Sequence, residues 1–243
     1  MGVPVKYIWA HDAFRVGEDG PTHQPVEQEA QIRLMEHLKN HHGENSMLVL
    51  RPADAPETNH AWKIALENTK TPSALILSRQ NIKTLPAAGK SRIEAAAMAE
   101  KGAYIVADTP VKPDIIMVAS GSEVATLVEA AALLQAEGIK ARIVSAPSEG
   151  LFRRQEKKYR DSVMTPGIPV FCLTAGLPVT MLGFAGSEGK IQGLDHFGEV
   201  LVVGAVKVED DGQQTVSTQP LFQRAQNILA LLLDERVFIR KTP

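Results

Sequence analysis

The sequence predicts an α/β protein with mostly parallel sheets, and three observations favour that fold class. Short runs rich in β-branched residues alternate along the chain with amphipathic stretches of helical length. The run Ile115–Val118 is continuously apolar, which is typical of a strand that is buried on both faces of a sheet. The helices are also clearly delimited, since Ser91 and Glu94 have the spacing of a capping box and Gly102 follows as a terminator.

Seven segments have the composition of strands and are bounded by turn residues. They are Val5–Ala10, Met47–Leu50, Ala74–Leu77, Ile115–Ala119, Ala141–Ser145, Val170–Leu173 and Val200–Val206. Helical patterns separate most of them, and strands that alternate with helices are typical of parallel sheets because each crossover returns the chain to the same end.

Three further helices are predicted from capping signals and apolar periodicity. Pro25 suits the first turn of a helix, and apolar residues then recur at helical spacing as far as Leu38. Ser120 and Glu123 have the spacing of a second capping box, which is followed by one apolar stripe. A last amphipathic helix is predicted over Pro220–Leu233.

The segment between Asn81 and Ala103 predicts a domain boundary, because it carries proline and glycine around one short helix. We therefore expect two α/β domains, 1–85 and 103–243, joined by a linker at 86–102. Each domain is expected to have its own hydrophobic core.

Composition excludes several classes of protein. Twenty-six Lys and Arg residues against 28 Asp and Glu residues leave a net charge of −2, which argues against nucleic-acid or anionic membrane partners. The single cysteine, Cys172, cannot form an internal disulfide, which favours a reducing compartment. No apolar run approaches the roughly 20 residues of a membrane span, and Met1–Ala10 lacks a signal-peptide pattern. We expect a cytoplasmic protein.

Three histidines invite a metal hypothesis, which the sequence does not favour. His37 and His41 are four residues apart and His42 is adjacent, so imidazoles on one helical face are conceivable as ligands. No carboxylate or cysteine is spaced to complete such a site, and cations near a helix C-terminus are favoured by its dipole. We therefore predict no metal site in this chain.

Polar residues follow the first three predicted strands. His11 follows the first strand, Arg51 the second and Arg79 the third, while the loop Gly17–Gln24 adds two carboxylates and a histidine. Since the carboxyl ends of parallel strands meet at one edge, these groups are expected to form a rim that suits a phosphorylated or acidic small substrate. The alternative is that they make caps and surface ion pairs. The rim of the Ile115–Ser120 strand is expected to be remote.

The segment His11–Gln28, H-D-A-F-R-V-G-E-D-G-P-T-H-Q-P-V-E-Q, closely resembles the transketolase signature around G-E-D-G-P-T-H-Q-P. Further segments resemble the family in the same order. They are Arg51–Asp54, Ala61–Lys63, Ala74–Gln80, Ser120–Glu123, Ile143–Ser148 and Tyr159–Val163. The agreement runs over about Val3–Gly198, whereas Glu199–Pro243 does not resemble the family's tail.

This resemblance implies a fold and a chemistry. The first domain is similar to the later part of the pyrimidine-binding domain, which binds the aminopyrimidine of thiamine diphosphate, and the second is similar to the transketolase C-terminal domain with a divergent tail. Transketolases move a two-carbon ketol unit from a ketose phosphate to an aldose phosphate in the pentose phosphate pathway. The cofactor is thiamine diphosphate with Mg²⁺, and the family's metal ligands and activating glutamate would lie upstream of Met1.

The resemblance also implies roles for four residues. His11 and Arg79 match positions that contact the phosphate of the sugar substrate. Asp19 matches a carboxylate that holds a donor hydroxyl, and His23 matches a catalytic histidine placed to help proton transfer. We expect a fragment or one part of a split enzyme, which works as a homodimer or with the missing N-terminal half and is silent alone.

Two alternatives to this function remain open on the sequence. The chain could be a non-catalytic fragment or an assembly module of a thiamin enzyme, which the missing upstream glutamate supports. Deoxyxylulose-phosphate synthase also carries D-G-P-T-H, but it usually continues H-Q-G. The run His23-Gln24-Pro25 here favours transketolase.

Overall fold

The computed structural model describes residues 3–12, 25–87, 89, 91–194 and positions 228, 230 and 232. Its first sheet has three parallel strands in the order β1-β3-β2. They are β1 (Lys6–Trp9), β2 (Leu48–Leu50) and β3 (Ser73–Ile76). This order makes β3 the central strand and leaves β1 and β2 on its two sides.

The second sheet has five strands in the order β4-β6-β5-β7-β8. They are β4 (Tyr104–Ala107), β5 (Ile115–Ala119), β6 (Ala141–Ser145), β7 (Val170–Leu173) and β8 (Lys190–Gln192). All pairs are parallel except β4 with β6, so the predicted class, α/β with mostly parallel sheets, is confirmed. Strands β4 and β8 were not predicted, and the predicted strand Val200–Val206 lies outside the described residues.

Short helices connect the strands. They are α1 (Gln28–Leu34), α2 (Ala55–Glu67), α3 (Arg92–Ala96), α4 (Glu123–Ala136), α5 (Glu149–Arg153), α6 (Lys157–Val163) and α7 (Leu182–Ala185), with 3₁₀ helices at Ala97–Lys101 and Pro178–Met181. In the part of the chain that the structure describes, none of these helices has the length and apolar character of a membrane span. Of the predicted helix Pro220–Leu233, positions 228, 230 and 232 are described, and all three are helical.

The first helix is shorter than its apolar periodicity predicts. It ends at Leu34, and the chain then turns so that the Glu36 carboxylate accepts a hydrogen bond from the backbone N–H of Val49 at 3.0 Å. Leu38, the last residue of the predicted stripe, is 62% exposed. The periodicity overestimates the helix because Glu36 is drawn inward to β2.

Of the two predicted capping boxes, one is confirmed and one is wrong. Ser91 accepts a hydrogen bond from the backbone of Glu94, whose side chain accepts one from the backbone of Ser91. Ser122, rather than Ser120, precedes α4, and its side chain makes no capping hydrogen bond. The side chain of Glu123 is engaged by a buried arginine instead, and this charge-assisted pair replaces the local cap.

The expectation of separate cores is wrong at the junction of the two sheets. Residues of the first sheet form two small apolar clusters of their own. However, Val26, Ala53 and Leu85 belong to the main apolar cluster of the second sheet. The segment 86–102 contains α3 and a 3₁₀ helix, both of which contact α2. The division into 1–85, 86–102 and 103–243 stays a prediction.

Candidate functional site

The carboxyl edge of the first sheet is defined by the pairing of β1 with β3. The backbone N–H of Leu77 donates to the carbonyl of Trp9 at 2.7 Å, and that of Asp12 donates to the carbonyl of Leu77 at 3.1 Å. His11 and Arg79, which follow β1 and β3, are both exposed. They lie on adjacent chain segments at this edge, and their predicted contact with a phosphate stays a prediction. Asp19 and His23 lie outside the described residues.

A cavity of about 310 Å³ opens at this edge. Its lining combines apolar residues with charged ones. The lining residues are Trp9, Ala10, His11, Asp12, Pro25, Gln28, Glu29, Ile32, Arg51 and Ile76. Such a mixture suits a ligand that combines a ring or carbon chain with polar groups.

Arg51 was expected on the exposed rim, and that expectation is wrong. Its side chain is 1% exposed and forms a two-pronged pair with Glu123, with Nη2 2.9 Å from Oε1 and Nη1 2.8 Å from Oε2. Nη1 also donates to the carbonyl oxygen of Ser120 at 3.0 Å and lies 3.6 Å from the Glu29 carboxylate. Arg51 therefore binds the protein itself rather than presenting a free cation to solvent.

Asp12, next to His11, is the second centre of this buried network. Its Oδ2 accepts hydrogen bonds from Arg51 Nη2 at 3.1 Å, from Ser78 Oγ at 2.9 Å and from Ser122 Oγ at 3.0 Å. Arg51 follows β2, Ser78 follows β3 and Ser122 precedes α4. One carboxylate oxygen therefore joins three separate chain segments. Asp12 is buried, with 2% of its surface exposed.

The carboxyl edges of the two sheets meet, contrary to the expectation that the Ile115–Ser120 rim is remote. The backbone N–H of Arg51 donates to the carbonyl of Pro147 at 2.8 Å, and that of Gly121 donates to the carbonyl of Arg51 at 3.1 Å. Gly121 has a φ of +61°, and a Cβ there would lie 2.7 Å from the Arg51 guanidinium carbon. Only glycine fits a turn that is both left-handed and closed over a side chain.

The electrostatics of the network follow from its charges. With Asp12, Glu29 and Glu123 ionised, three carboxylates face the guanidinium groups of Arg51 and Arg33, which leaves one negative charge in excess. Burial raises the pKa of Glu123 to about 7, with attraction by Arg51 opposing the shift and repulsion by Asp12 and Glu29 adding to it. Glu29 is also buried, but attraction by Arg51 and Arg33 outweighs desolvation and lowers its pKa. Protonation of Glu123 alone would make the network neutral.

A second buried network ties the connecting segment to α2. The Arg92 guanidinium lies 2.6 Å and 3.0 Å from the two carboxylate oxygens of Asp54, and Nη2 lies 3.1 Å from Glu57. Arg92 Nη1 also contacts the hydroxyl of Tyr104 at 2.7 Å, and that hydroxyl donates to Glu57. All four groups find partners here, which makes this network structural.

The metal prediction is not contradicted by the described residues. They contain no group of three His, Cys, Asp or Glu side chains that could hold a metal ion. The His37 ring Nε2 lies 3.3 Å from Arg153 Nη1, a contact between the first half of the chain (1–85) and the second half (103–243). Cys172 is buried in β7, where burial raises the pKa of its thiol, as expected for a packing residue.

Sequence reasoning missed the importance of Arg51 and Glu123. Arg51 follows a strand as a ligand residue would, and the spacing of Ser120 and Glu123 resembles a cap. The one available signal is that both motifs, Arg51–Asp54 and Ser120–Glu123, stand among the segments that resemble transketolases. Neither motif by itself indicates that the two would meet.

Comparisons with known proteins agree over both halves of the chain. The family model described as the transketolase pyrimidine binding domain matches residues 1–84, and the model described as the transketolase-like TK C-terminal domain matches residues 102–206. The chain is 42% identical over 202 residues to the transketolase of Geobacillus stearothermophilus, covering 82% of this chain and 28% of that enzyme. It therefore spans less than a third of the length of the curated relatives it matches.

Solved structures give the same result. A transketolase complex with sedoheptulose 7-phosphate from Pichia stipitis aligns with a TM-score of 0.68 at 35% identity, covering 82% of this chain and 27% of that chain. A chain described as a split gene transketolase, inactive beta4 tetramer, aligns with a TM-score of 0.56 at 25% identity, covering 81% of this chain and 60% of that chain. The model of the pyrimidine binding domain matches before that of the C-terminal domain, and the fold is shared with solved transketolases. This chain therefore belongs to the transketolase family.

Proposed function

We propose that this chain forms the sugar-phosphate side of a transketolase active site and acts together with the upstream part of the enzyme. The reaction is the transfer of a two-carbon ketol unit between sugar phosphates, in the pentose phosphate pathway. The observation that carries the proposal is the pairing of β1 with β3, after which His11 and Arg79 follow on adjacent segments beside a cavity that His11 lines. The closely similar Pichia stipitis structure is a complex with a sugar phosphate.

His11 and Arg79 are the proposed ligands of the substrate phosphate. Guanidinium and imidazolium groups donate charge-assisted hydrogen bonds to phosphate oxygens, and both residues are exposed at the edge where α/β sheets bind ligands. Asp19 is proposed to accept a hydrogen bond from a donor hydroxyl, and His23 to move a proton at the reacting carbons. The resemblance of His11–Gln28 to the family signature supports these last two roles.

The family and its pyrimidine-binding domain imply thiamine diphosphate as the cofactor. When bound, it supplies the nucleophilic carbon that attacks the donor carbonyl and takes up the electron pair of the broken carbon–carbon bond. The apolar lining residues Trp9, Ile32 and Ile76 suit a ring or carbon chain in the cavity. The described residues contain no cluster of three His, Cys, Asp or Glu side chains that could hold a metal ion. The Mg²⁺ and the diphosphate are proposed to be held by the upstream part of the enzyme.

The exposed first strand supports the need for a completing partner. Tyr7 and Trp9 lie on one face of β1 with their rings 5.7 Å apart, and they are 42% and 40% exposed, while Ile8 on the other face is 47% exposed. Apolar side chains exposed on both faces of a strand indicate a surface that another element covers. The proposed partner is the upstream part of the enzyme, in the same chain or in a separate one. Two copies of the completed enzyme are proposed to form a homodimer.

The proposed setting is the cytoplasm, where sugar phosphates are available and a single buried thiol stays reduced. The proposed organisation is a partial pyrimidine-binding domain at 1–85, a connection at 86–102 and a C-terminal domain at 103–243. The connection is held by the Arg92 network.

Complementation tests the proposal. The 243-residue chain is mixed with the upstream part of a homologous transketolase, thiamine diphosphate and Mg²⁺, and turnover is measured with xylulose 5-phosphate and ribose 5-phosphate. We expect each part to be silent alone and the mixture to be active. A mixture of the same upstream part with the chain carrying Asp19→Ala and His23→Ala is the matched control for residual activity.

The second candidate function is an assembly module without catalytic residues of its own. The similarity to a split-gene chain described as an inactive tetramer favours it. In that case the chain would bind the upstream part, but Asp19→Ala and His23→Ala would leave the turnover of the mixture unchanged. If the chain carrying Asp19→Ala and His23→Ala still binds the upstream part but the mixture loses turnover, the active-site role is supported.

A further inference from the structure

The buried network at the junction connects the second sheet to the substrate rim. Glu123 begins α4, which packs on the second sheet, and it pairs with Arg51 through both carboxylate oxygens. Arg51 in turn donates to Asp12, the residue that follows His11. A continuous path of charge-assisted hydrogen bonds thus runs from α4 to the residue beside the proposed phosphate ligand.

Asp12 has little freedom within this path. Its Oδ2 is held by three donors at 2.9–3.1 Å, and its backbone N–H donates to Leu77 at 3.1 Å. Of its three side-chain donors, Ser122 belongs to the second half. Arg51 belongs to the first half, but it is itself held by Ser120 and Glu123 of the second half. Helix α4 itself contributes no residue to the cavity lining.

We propose that Arg51, Glu123 and Ser122 are positioning residues, through which the C-terminal sheet fixes Asp12 and thereby holds His11 in place for the substrate phosphate. This proposal rests on the proposed function, because it assumes that His11 contacts substrate. It assigns to the second half a role at the active site that involves no contact with substrate or cofactor.

Ser122→Ala is the cleanest variant for a test. The Ser122 side chain makes no capping hydrogen bond to α4, so its removal breaks the contact with Asp12 and leaves the helix start intact. Glu123→Gln keeps the shape and removes the charge that holds Arg51. Glu129→Gln is the matched control, because Glu129 lies on the same helix and pairs with Lys83 of the first half at an exposed site.

Amide hydrogen exchange on the full chain gives the first measurement. Three backbone N–H groups serve as reporters. That of Asp12 donates to the carbonyl of Leu77, that of Leu77 donates to the carbonyl of Trp9, and that of Ala146 donates to the carbonyl of Ala119. We expect Ser122→Ala and Glu123→Gln to speed exchange at Asp12 by about tenfold, since hydrogen bonds to charged groups are the stronger ones, with Ala146 unchanged. Glu129→Gln should change none of the three.

Two exchange results would overturn the proposal. Unchanged protection of Asp12 in both variants would show that the network does not hold this segment. Equal losses of protection at Asp12, Leu77 and Ala146 would show that the network only stabilises the fold. Neither result depends on turnover, so a failure of the network to hold the Asp12 segment is distinguished from a failure of the proposed function.

In an active complemented enzyme, kinetics give the second measurement. We expect Ser122→Ala to raise the KM for the sugar phosphates about three- to tenfold with little change in kcat, because phosphate binding is loosened and proton transfer is not. Ser122→Thr, which keeps the hydroxyl, should restore the KM. A fall in kcat with an unchanged KM would contradict the positioning of His11.

Discussion

The two sheets of this molecule differ in how completely they are covered. All five residues of β5 in the second sheet are buried, and helices and apolar clusters occupy both of its faces. In the first sheet three of the four residues of β1 are exposed, although Tyr7, Ile8 and Trp9 are large and apolar. The well-covered sheet carries no proposed substrate ligand, whereas the poorly covered sheet carries those that are described. The difference separates a buried scaffold from a sheet with an exposed apolar strand, which agrees with the proposed covering of β1 by another part of the enzyme.

The junction between the sheets has a different chemistry from either core. Arg51, Asp12 and Glu123 are buried there as charges, at a desolvation cost that ion pairing offsets only in part. An apolar junction of the same size would hold the halves together at least as strongly. A charged and hydrogen-bonded junction instead fixes the direction and distance between the two sheets, which is what the proposed positioning of His11 requires.

Arg51→Met is expected to have the largest effect on stability. It removes the cation and leaves the carboxylates of Asp12, Glu29 and Glu123 facing one another in a buried site. Removing one partner of a buried ion pair costs about 3–5 kcal/mol of the free energy of unfolding. Urea unfolding of the full chain at pH 8 measures it.

The matched control for that loss is Lys63→Met. Lys63 pairs with Glu100 at 2.7 Å, but both side chains are about half exposed, so the change should cost much less of the free energy of unfolding than Arg51→Met does. Equal losses for the buried and the exposed cation would show that the junction does not behave as a buried network.

Leu127→Ala and Ile8→Ala test the contrast between the two sheets directly. Leu127 on α4 is fully buried in the main core, so its truncation should cost about 2–5 kcal/mol in the free energy of unfolding. Ile8 on β1 is 47% exposed, and its truncation should cost about 1 kcal/mol or less in the isolated chain. Thermal and urea unfolding measure both variants.

The same pair of variants can sharpen the contrast once the partner is added. If the upstream part covers β1, Ile8→Ala should weaken complementation at the concentrations where the unmodified chain is saturated, while Ile8→Val should not. A large cost of Ile8→Ala in the isolated chain, comparable with that of Leu127→Ala, would mean that β1 already has its full cover.

Sequence periodicity predicts the regular parts of this fold for physical reasons. β5 and β7 are apolar runs that are buried along most of their length, and the capping box at Ser91 is satisfied within its own turn. β8 has three residues between Gly189 and Gly193, too few for any periodicity to appear. Short strands of this kind exist only because a neighbouring strand is already present to pair with them.

The candidate site was predictable only as far as its chemistry is local. The rule that ligands bind at the carboxyl ends of parallel strands leads to His11 and Arg79 without knowledge of their neighbours. Arg51 follows the same rule and is nevertheless buried, because the edge of the second sheet meets it through Ser120 and Glu123. Which strand-end arginine faces solvent is a tertiary property that no local pattern contains.

Arg79→Ala and His23→Ala are expected to separate binding from chemistry in the complemented enzyme. Loss of a charge-assisted contact with phosphate should raise the KM for phosphorylated sugars about 10- to 100-fold and leave kcat nearly unchanged. His23→Ala should lower kcat about 100-fold or more with a smaller change in KM, because general acid–base catalysis typically contributes that much. Steady-state kinetics with both donor and acceptor measure them.

Lys157→Ala is the control for the loss of a positive charge, because Lys157 lies on α6 and its side chain is 77% exposed. It should change neither constant. A KM effect of Arg79→Ala that is equally large with non-phosphorylated ketose donors would contradict the assignment of Arg79 to the phosphate.

A pH dependence of stability is also expected to originate at the junction. The pKa of Glu123 is raised to about 7 in the folded protein, so the folded state holds this proton more tightly than the unfolded state does. Its contribution to stability is therefore present at low pH and is lost as the pH rises from about 4.5 to about 7. A single group can change the free energy of unfolding by at most about 1.4 kcal/mol per pH unit.

The groups that face Glu123 are Arg51, Asp12 and Glu29, with Arg33 reaching the network through Ser120. Glu123→Gln replaces the titrating carboxyl with a neutral amide of the same shape. Between pH 5 and pH 7.5, the free energy of unfolding of this variant should therefore fall less than that of the unmodified chain. Burial also raises the pKa of Glu36, so part of the slope should remain in the variant. Parallel stability curves for the two proteins would show that Glu123 is already ionised at pH 5 and that Arg51 alone controls its charge.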